Sequence, residues 1–171
     1  MQTINCTRRQ QLEQYFQTDS GRFYRIAYGI LRHREDALDA VQNAMIRAIQ
    51  KSATLRDGSF LQSWFYRILV NECYAMARKR CRLPLLADHN VFDTFEAGTT
   101  LRSQENEEDA VTHALCLLSP QQRTLIILRY FEELKLEDIA IATNQNLSTV
   151  KTRLYKTLRY LRSLMNKENE Q

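Results

Sequence analysis

Residues 134–162, LKLEDIAIATNQNLSTVKTRLYKTLRYLR, confine this part of the chain to two short helices around a tight polar turn. In the second helix Val150, Leu154, Leu158 and Leu161 recur at steps of four, four and three, which makes one buried stripe. The same helix carries five basic residues, Lys151, Arg153, Lys156, Arg159 and Arg162, and no acid. The first helix is expected to bury Leu136, Ile139, Ala140 and Thr143, with Glu137 and Asp138 in its opening turn, where the helix dipole favours acids. Asn144 ends it, because Asn tolerates the left-handed geometry such a turn needs. Small Ala140 lets the two helices cross closely above Val150. This spacing predicts a helix-turn-helix, whose second helix can lie in a DNA major groove. A solvated basic helix closing a bundle is the plainer alternative, and the remainder of the chain has to decide between them.

With four Gly and two Pro in 171 residues, and long runs of Ala, Leu, Ile, Arg, Glu and Gln, the chain is expected to be all-α. Its net charge of +4 is unevenly placed. Residues 1–82 carry 14 basic and 7 acidic side chains, residues 83–119 carry 1 and 7, and residues 120–171 carry 9 and 6. Two basic blocks around an acidic connector suggest two nucleic-acid-facing modules and a linker with a different task. Cys6, Cys73, Cys81 and Cys116 form no CxxC pair and have no His at zinc-ligand spacing, so no metal is expected. Cys73 and Cys116 fall on apolar helical faces, where a free thiol behaves as a small hydrophobe. No apolar run is long enough to span a membrane and the first residues lack a signal-peptide core, so a cytoplasmic chain is expected.

Residues 8–31 read as one or two helices, with Asp19-Ser20-Gly21 as a break or cap. REDALDAVQNAMIRAIQ is the cleanest amphipathic helix, with Ala37, Ala40, Val41, Ala44, Met45, Ala48 and Ile49 on one stripe. Its other face shows Asp36, Asp39, Gln42, Asn43, Ile46 and Arg47. An Ile among polar groups hints at a partner there, although the acids could merely offset the helix N-terminus. After the loop Leu55-Arg56-Asp57-Gly58-Ser59, residues 60–82 form a long helix with Leu61, Phe65, Ile68, Leu69, Cys73 and Met76 as its core stripe. A neighbouring face reads Trp64, Arg67, Asn71, Tyr74, Arg78, and the helix closes in Arg78-Lys79-Arg80-Cys81-Arg82. Rings stack on unpaired bases while cations hold phosphates, so this face suits single-stranded nucleic acid; Trp64 alone fits core and surface equally. Residues 83–104 have no sustained period and read as a linker. A further helix follows, burying Val111, Ala114, Leu115 and Leu118. Ser119-Pro120-Gln121-Gln122 then combines an N-cap, an N1 proline and a capping-box Gln.

In this order the pieces resemble the extracytoplasmic-function (ECF) sigma factors of the sigma-70 family. FYRIAYGILRHREDALDAVQNAMIRAI is similar to the family's polymerase-binding region, with Asp39 and Gln42 on its D-x-x-Q pair. FLQSWFYRILVNECYAMARKR resembles the promoter-melting region WLYRIARN-x-x-x-D-x-x-R-R through Trp64, Tyr66, Arg67, Ile68 and Asn71. LSPQQRTLIILRYFEELKLEDIAIATNQNLSTVKTRLYKTLRYLR resembles the second domain, LPxxxRxxxxLRxxExLSxxEIAxxLGxSxGTVKSRLxRARxxLR. The departures are local: Asn144 stands for the turn Gly, Ser148 for the Gly before TVK, Met45 and Ile49 for aromatics, and Asn43 for a Glu.

The resemblance implies two helical domains, 8–82 and 105–165, joined by a flexible linker at 83–104. It implies a transcription initiation factor that binds core RNA polymerase through Asp36, Asp39, Gln42, Asn43 and Ile46. The melted nontemplate strand of the minus-ten element would lie on Arg56, Asp57, Gly58, Ser59, Trp64, Arg67, Asn71, Tyr74, Arg78, Lys79 and Arg80. At the double-stranded minus-thirty-five element, Ser148, Thr149, Thr152 and Arg153 would reach base edges and Lys151 and Lys156 phosphates. Family members are often held inactive by an anti-sigma factor clamped over both domains. No nucleophile–base constellation or Gly-rich phosphate loop is present, so neither an enzyme, a cofactor nor a small-molecule substrate is expected. The rival reading is an autonomous dimeric helix-turn-helix regulator; a third is a helical adaptor for acidic proteins.

Overall fold

The computed structural model describes residues 2–55, 60–82 and 114–168, and every regular element among them is helical. The linker 83–104, the loop residues 56–59 and the start of the helix after the linker lie outside the described residues. The first unit has three long helices, α1 (Gln2–Leu31), α2 (Arg34–Gln50) and α3 (Leu61–Arg82). The second has α4 (Pro120–Ile126), a π turn (Ile127–Phe131), α5 (Leu136–Thr143) and α6 (Leu147–Glu168).

α1 is one uninterrupted helix of 30 residues, so Asp19-Ser20-Gly21 neither breaks nor caps it. Buried Phe16 and Phe23 flank that segment and pack with Phe65 of α3 (Phe23–Phe65 centroids 4.5 Å), and this packing outweighs the local turn preference. α1 stops at Arg32, which adopts the left-handed conformation at φ 54°, and His33 Nδ1 then accepts the Asp36 N–H to cap α2. On α2 the buried stripe is Ala37, Ala40, Val41, Ala44 and Ala48. Four alanines in that stripe let α2 lie close to both α1 and α3.

The capping box at α4 forms as the sequence suggests: Ser119 Oγ accepts the Gln122 N–H at 3.3 Å, and Gln122 Oε1 accepts the Ser119 N–H at 3.0 Å. The helix opened by this cap widens at its end, where the Glu132 N–H reaches back to the Ile127 carbonyl at 3.0 Å, an i to i−5 bond. The extra residue in that turn leaves Tyr130 and Phe131 exposed and carries Glu132 inward.

The two units pack on each other, α3 against α5 and α1 against α4 and the π turn. Their contact explains why α3 is buried on more than the stripe read from its periodicity. Tyr66 and Val70 are fully enclosed, whereas Leu61 and Met76 at the stripe's ends are only half-buried.

Candidate polymerase and promoter interfaces

On α2, Asp39, Gln42, Asn43 and Ile46 share one solvent face, with steps of three, one and three residues. Ile46 keeps 54% of its surface exposed there, and Leu38, which periodicity does not single out, adds a second exposed apolar side chain. Leu38 could have been found as the one large apolar residue of α2 before Ile46 that falls off the Ala stripe. Asp36 stands apart. It is half-buried and pairs with Arg80 at 3.6 Å and with His33 at 3.4 Å. One polymerase candidate and one strand-binding candidate thus face each other.

On α3, Arg67, Asn71, Arg78, Lys79 and Arg80 are exposed. Trp64 departs from the face expected of it. It is buried, and its indole N–H donates to Thr54 Oγ1 at 3.3 Å, which ties the start of α3 to the turn before the loop at 56–59. A ring so placed has no free face on which a base could stack. Tyr74 is half-buried, and its hydroxyl is enclosed with no hydrogen-bond partner within bonding geometry among the described residues. Burial is the main reason that phenol is pushed up to about 12. Arg56, Asp57, Gly58 and Ser59 lie outside the described residues.

The turn between α5 and α6 has the geometry Asn144 predicts, with φ 53° and ψ 44°. Gln145 N–H reaches the Ala140 carbonyl at 3.0 Å and Asn144 N–H the Ile141 carbonyl at 3.2 Å, a Schellman closure of α5. Val150 and Leu154 are buried beneath the crossing, Leu158 and Leu161 half-buried. Of the residues expected in α5's core, Ile139 and Thr143 are buried and Leu136 and Ala140 half-buried; Ala142 is enclosed as well. On α6, Ser148, Lys151, Thr152, Arg153 and Lys156 are exposed and Thr149 is half-buried. Arg153 is held back over α4, its Nη1 donating to Gln121 Oε1 at 3.4 Å. Thr157, an unflagged position, is buried with its hydroxyl donating to the Arg153 carbonyl at 2.9 Å. Cys116 is exposed, not part of an apolar face, whereas Cys73 is fully buried.

The geometry separates three surfaces: a mixed acidic and apolar face on α2, a basic face on α3, and a basic helix-turn-helix on α6. Known proteins share this fold. Residues 16–83 match the Sigma-70 region 2 family and residues 108–161 the Sigma-70, region 4 family. The chain is 37% identical over 147 residues to the RNA polymerase sigma factor SigV of Bacillus subtilis, covering 86% of each. It is 30% identical over 155 residues to the ECF RNA polymerase sigma factor SigW of the same organism, covering 82% of this chain and 81% of that one. The sigma factor RpoE of Bartonella quintana, solved in complex with the anti-sigma factor NepR, is similar with a TM-score of 0.71 and 27% identity, over 90% of this chain and 96% of that one. CnrH, solved with the cytosolic domain of CnrY, shares the fold at a TM-score of 0.66 and 16% identity, over 96% of each chain. No described helix is long and apolar enough to cross a membrane. The chain belongs to the ECF sigma factors of the sigma-70 family, the promoter-specific initiation factors of bacterial RNA polymerase.

Proposed function

We propose that this chain divides initiation between a polymerase-docking and strand-capturing domain at 8–82 and a duplex-reading domain at 105–165, with 83–104 as the linker. Asp39, Gln42, Asn43 and Ile46 dock on core RNA polymerase, with Asp36 at the edge of that face. The observation that carries this reading is Ile46, a large apolar side chain left in solvent at the centre of a polar face on a helix whose opposite stripe is fully packed.

Promoter contacts follow from exposure and charge. Arg67, Asn71, Arg78, Lys79 and Arg80, with the loop Arg56–Ser59, hold the melted nontemplate strand of the minus-ten element. Trp64 anchors the turn Ser52–Thr54, which precedes that loop in the chain, through Thr54. Extracting a base costs a few kcal/mol of stacking, so capture depends on the further contacts that polymerase supplies. On α6, Ser148, Thr149, Thr152 and Arg153 read the minus-thirty-five duplex, and Lys151 and Lys156 neutralise its phosphates. Such work takes place in the cytoplasm, needs no cofactor, and admits an anti-sigma factor as a further partner.

Run-off transcription tests this directly. Purified bacterial core polymerase is supplied with a genomic fragment library, with and without the chain. Discrete start sites that need both proteins are expected. Protection of a palindromic site by the chain alone, with no new start sites, would establish the autonomous regulator instead.

A further inference from the structure

Capture of an unpaired base on α3 needs an aromatic ring that the base can reach, and buried Trp64 does not offer one. Among the described residues of the first unit two aromatic side chains are exposed, Tyr28 at 38% and Phe60 at 58%. Tyr28 already has its stacking partners. The Tyr24 ring lies 5.9 Å from it at an interplanar angle of 19°, and the Arg32 guanidinium carbon sits 5.3 Å from its centroid. Phe60 is the more open of the two and stands directly before the first residue of α3, beside the loop at 56–59.

Its place along the helix suits a stretched nucleic-acid strand. Phe60, Arg67, Asn71 and Arg78 follow at steps of seven, four and seven. At about 100° per residue those steps stay within about 20° of one line. Arg67, Asn71 and Arg78 are all exposed, so the line is a solvent face with a ring at one end and cations along it. A rise of about 1.5 Å per residue puts Phe60 about 10 Å from Arg67 and about 27 Å from Arg78 along the axis. A single exposed ring is ordinary on a protein surface. This one is set apart by its neighbours on the line, whose charge complements a phosphate backbone while the ring meets a base.

We propose that Phe60 is the stacking platform of the strand-binding face and takes one unpaired base of the nontemplate strand on its ring. The assignment rests on the minus-ten reading above and adds the aromatic contact that Trp64, enclosed against Thr54, cannot provide. Phosphates are held from Arg67 to Arg80, and the base lies at the loop end of α3. Every base has a flat face, so Phe60 contributes to strand opening rather than to the choice of sequence.

Holoenzyme assembled from core polymerase and the full chain tests this on a premelted promoter fork recovered from the run-off assay. Each nontemplate position of the minus-ten stretch is made abasic in turn, and every fork is titrated with wild type and Phe60→Ala. Phe60→Ala should weaken binding about tenfold on the intact fork, with the melting temperature of the chain unchanged. At one position the abasic fork should bind both proteins equally, because the ring then has nothing to stack on. Phe60→Trp should restore binding and Phe60→Leu should not, which separates stacking from apolar bulk. A loss of the same size on every abasic fork would overturn the stacking. So would no loss at all while Arg67→Ala still weakens binding, and the strand-binding face would then stand without it. No loss from either variant would overturn that face and the stacking together, as would a run-off assay without start sites. Weaker binding of Phe60→Ala to core polymerase in the absence of DNA would assign the ring to polymerase instead.

Discussion

Arg47 of α2 reaches across to Glu72 of α3, Nε to Oε1, at 3.0 Å. The carboxylate side is buried at 6% exposure and the guanidinium side is 56% exposed, so the pair pins α2 to α3 from its wet end. Removing the arginine leaves a buried charge without its partner. Solvent at the open end recovers part of that loss, so Arg47→Ala should destabilise the chain by roughly 1–3 kcal/mol, below the cost of breaking a fully buried pair. Urea unfolding followed by circular dichroism measures it, and a change under a few tenths of a kcal/mol would mean the pair contributes nothing.

The exposed apolar side chain on α2 gives a second prediction. Ile46→Asp replaces a solvent-exposed side chain on a well-formed helix, so the melting temperature should move little. Binding to core polymerase should fall by one to two orders of magnitude, the scale of a central apolar anchor worth about 2 kcal/mol or more. Core binding equal to wild type in a pull-down titration would place the docking face elsewhere.

On α6 the phosphate and base-edge candidates should separate by salt and by sequence. Lys156→Ala should weaken binding to the minus-thirty-five duplex equally for matched and mismatched sequences and lower the salt slope by about 1. Arg153→Ala should cost about 1–3 kcal/mol on the matched sequence and little on a mismatched one. Titrations at several salt concentrations distinguish the two, and identical behaviour of both variants would remove the division between them.

Alkaline pH should loosen the fold in a defined window. Burial pushes the Cys73 thiol well above its ordinary 9.0, and pushes the Tyr15 and Tyr66 phenols well above 10.0. Tyr74 rises for the same reason to about 12. The folded chain therefore keeps protons that the unfolded chain releases. Stability is fully present below pH 9 and falls as pH rises, by about 1.4 kcal/mol per pH unit for each group that is ionised only in the unfolded chain. Cys73 sets the first decline above pH 9 and the tyrosines steepen it above 10. Stability that is flat from pH 8 to 11 in urea titrations would contradict this. In the native chain Cys73 should also resist thiol reagents that modify exposed Cys116.

Local chemistry was enough wherever an element's character is decided within a few residues. The helix-turn-helix is legible because Asn144 supplies the left-handed turn, Val150 and Leu154 the buried stripe, and Glu137 and Asp138 the first turn. The capping box at Ser119 and the solvent face of α2 are legible for the same reason, since caps and helical periodicity depend on neighbours three and four residues away.

Contacts between residues far apart in sequence were decided only in three dimensions. Asp19-Ser20-Gly21 looks like a break until Phe16 and Phe23 find Phe65. Trp64 shares a helical face with Arg67 and Asn71, yet its indole turns in toward Thr54. Above all, nothing in the residues beside Glu132 announces its burial; it becomes buried because Arg22 and Tyr66, 110 and 66 residues away, converge on it. Periodicity tells which side of a helix seeks a partner. Which partner arrives, and whether a second face is covered as well, depends on shape and charge that meet only when the two units close.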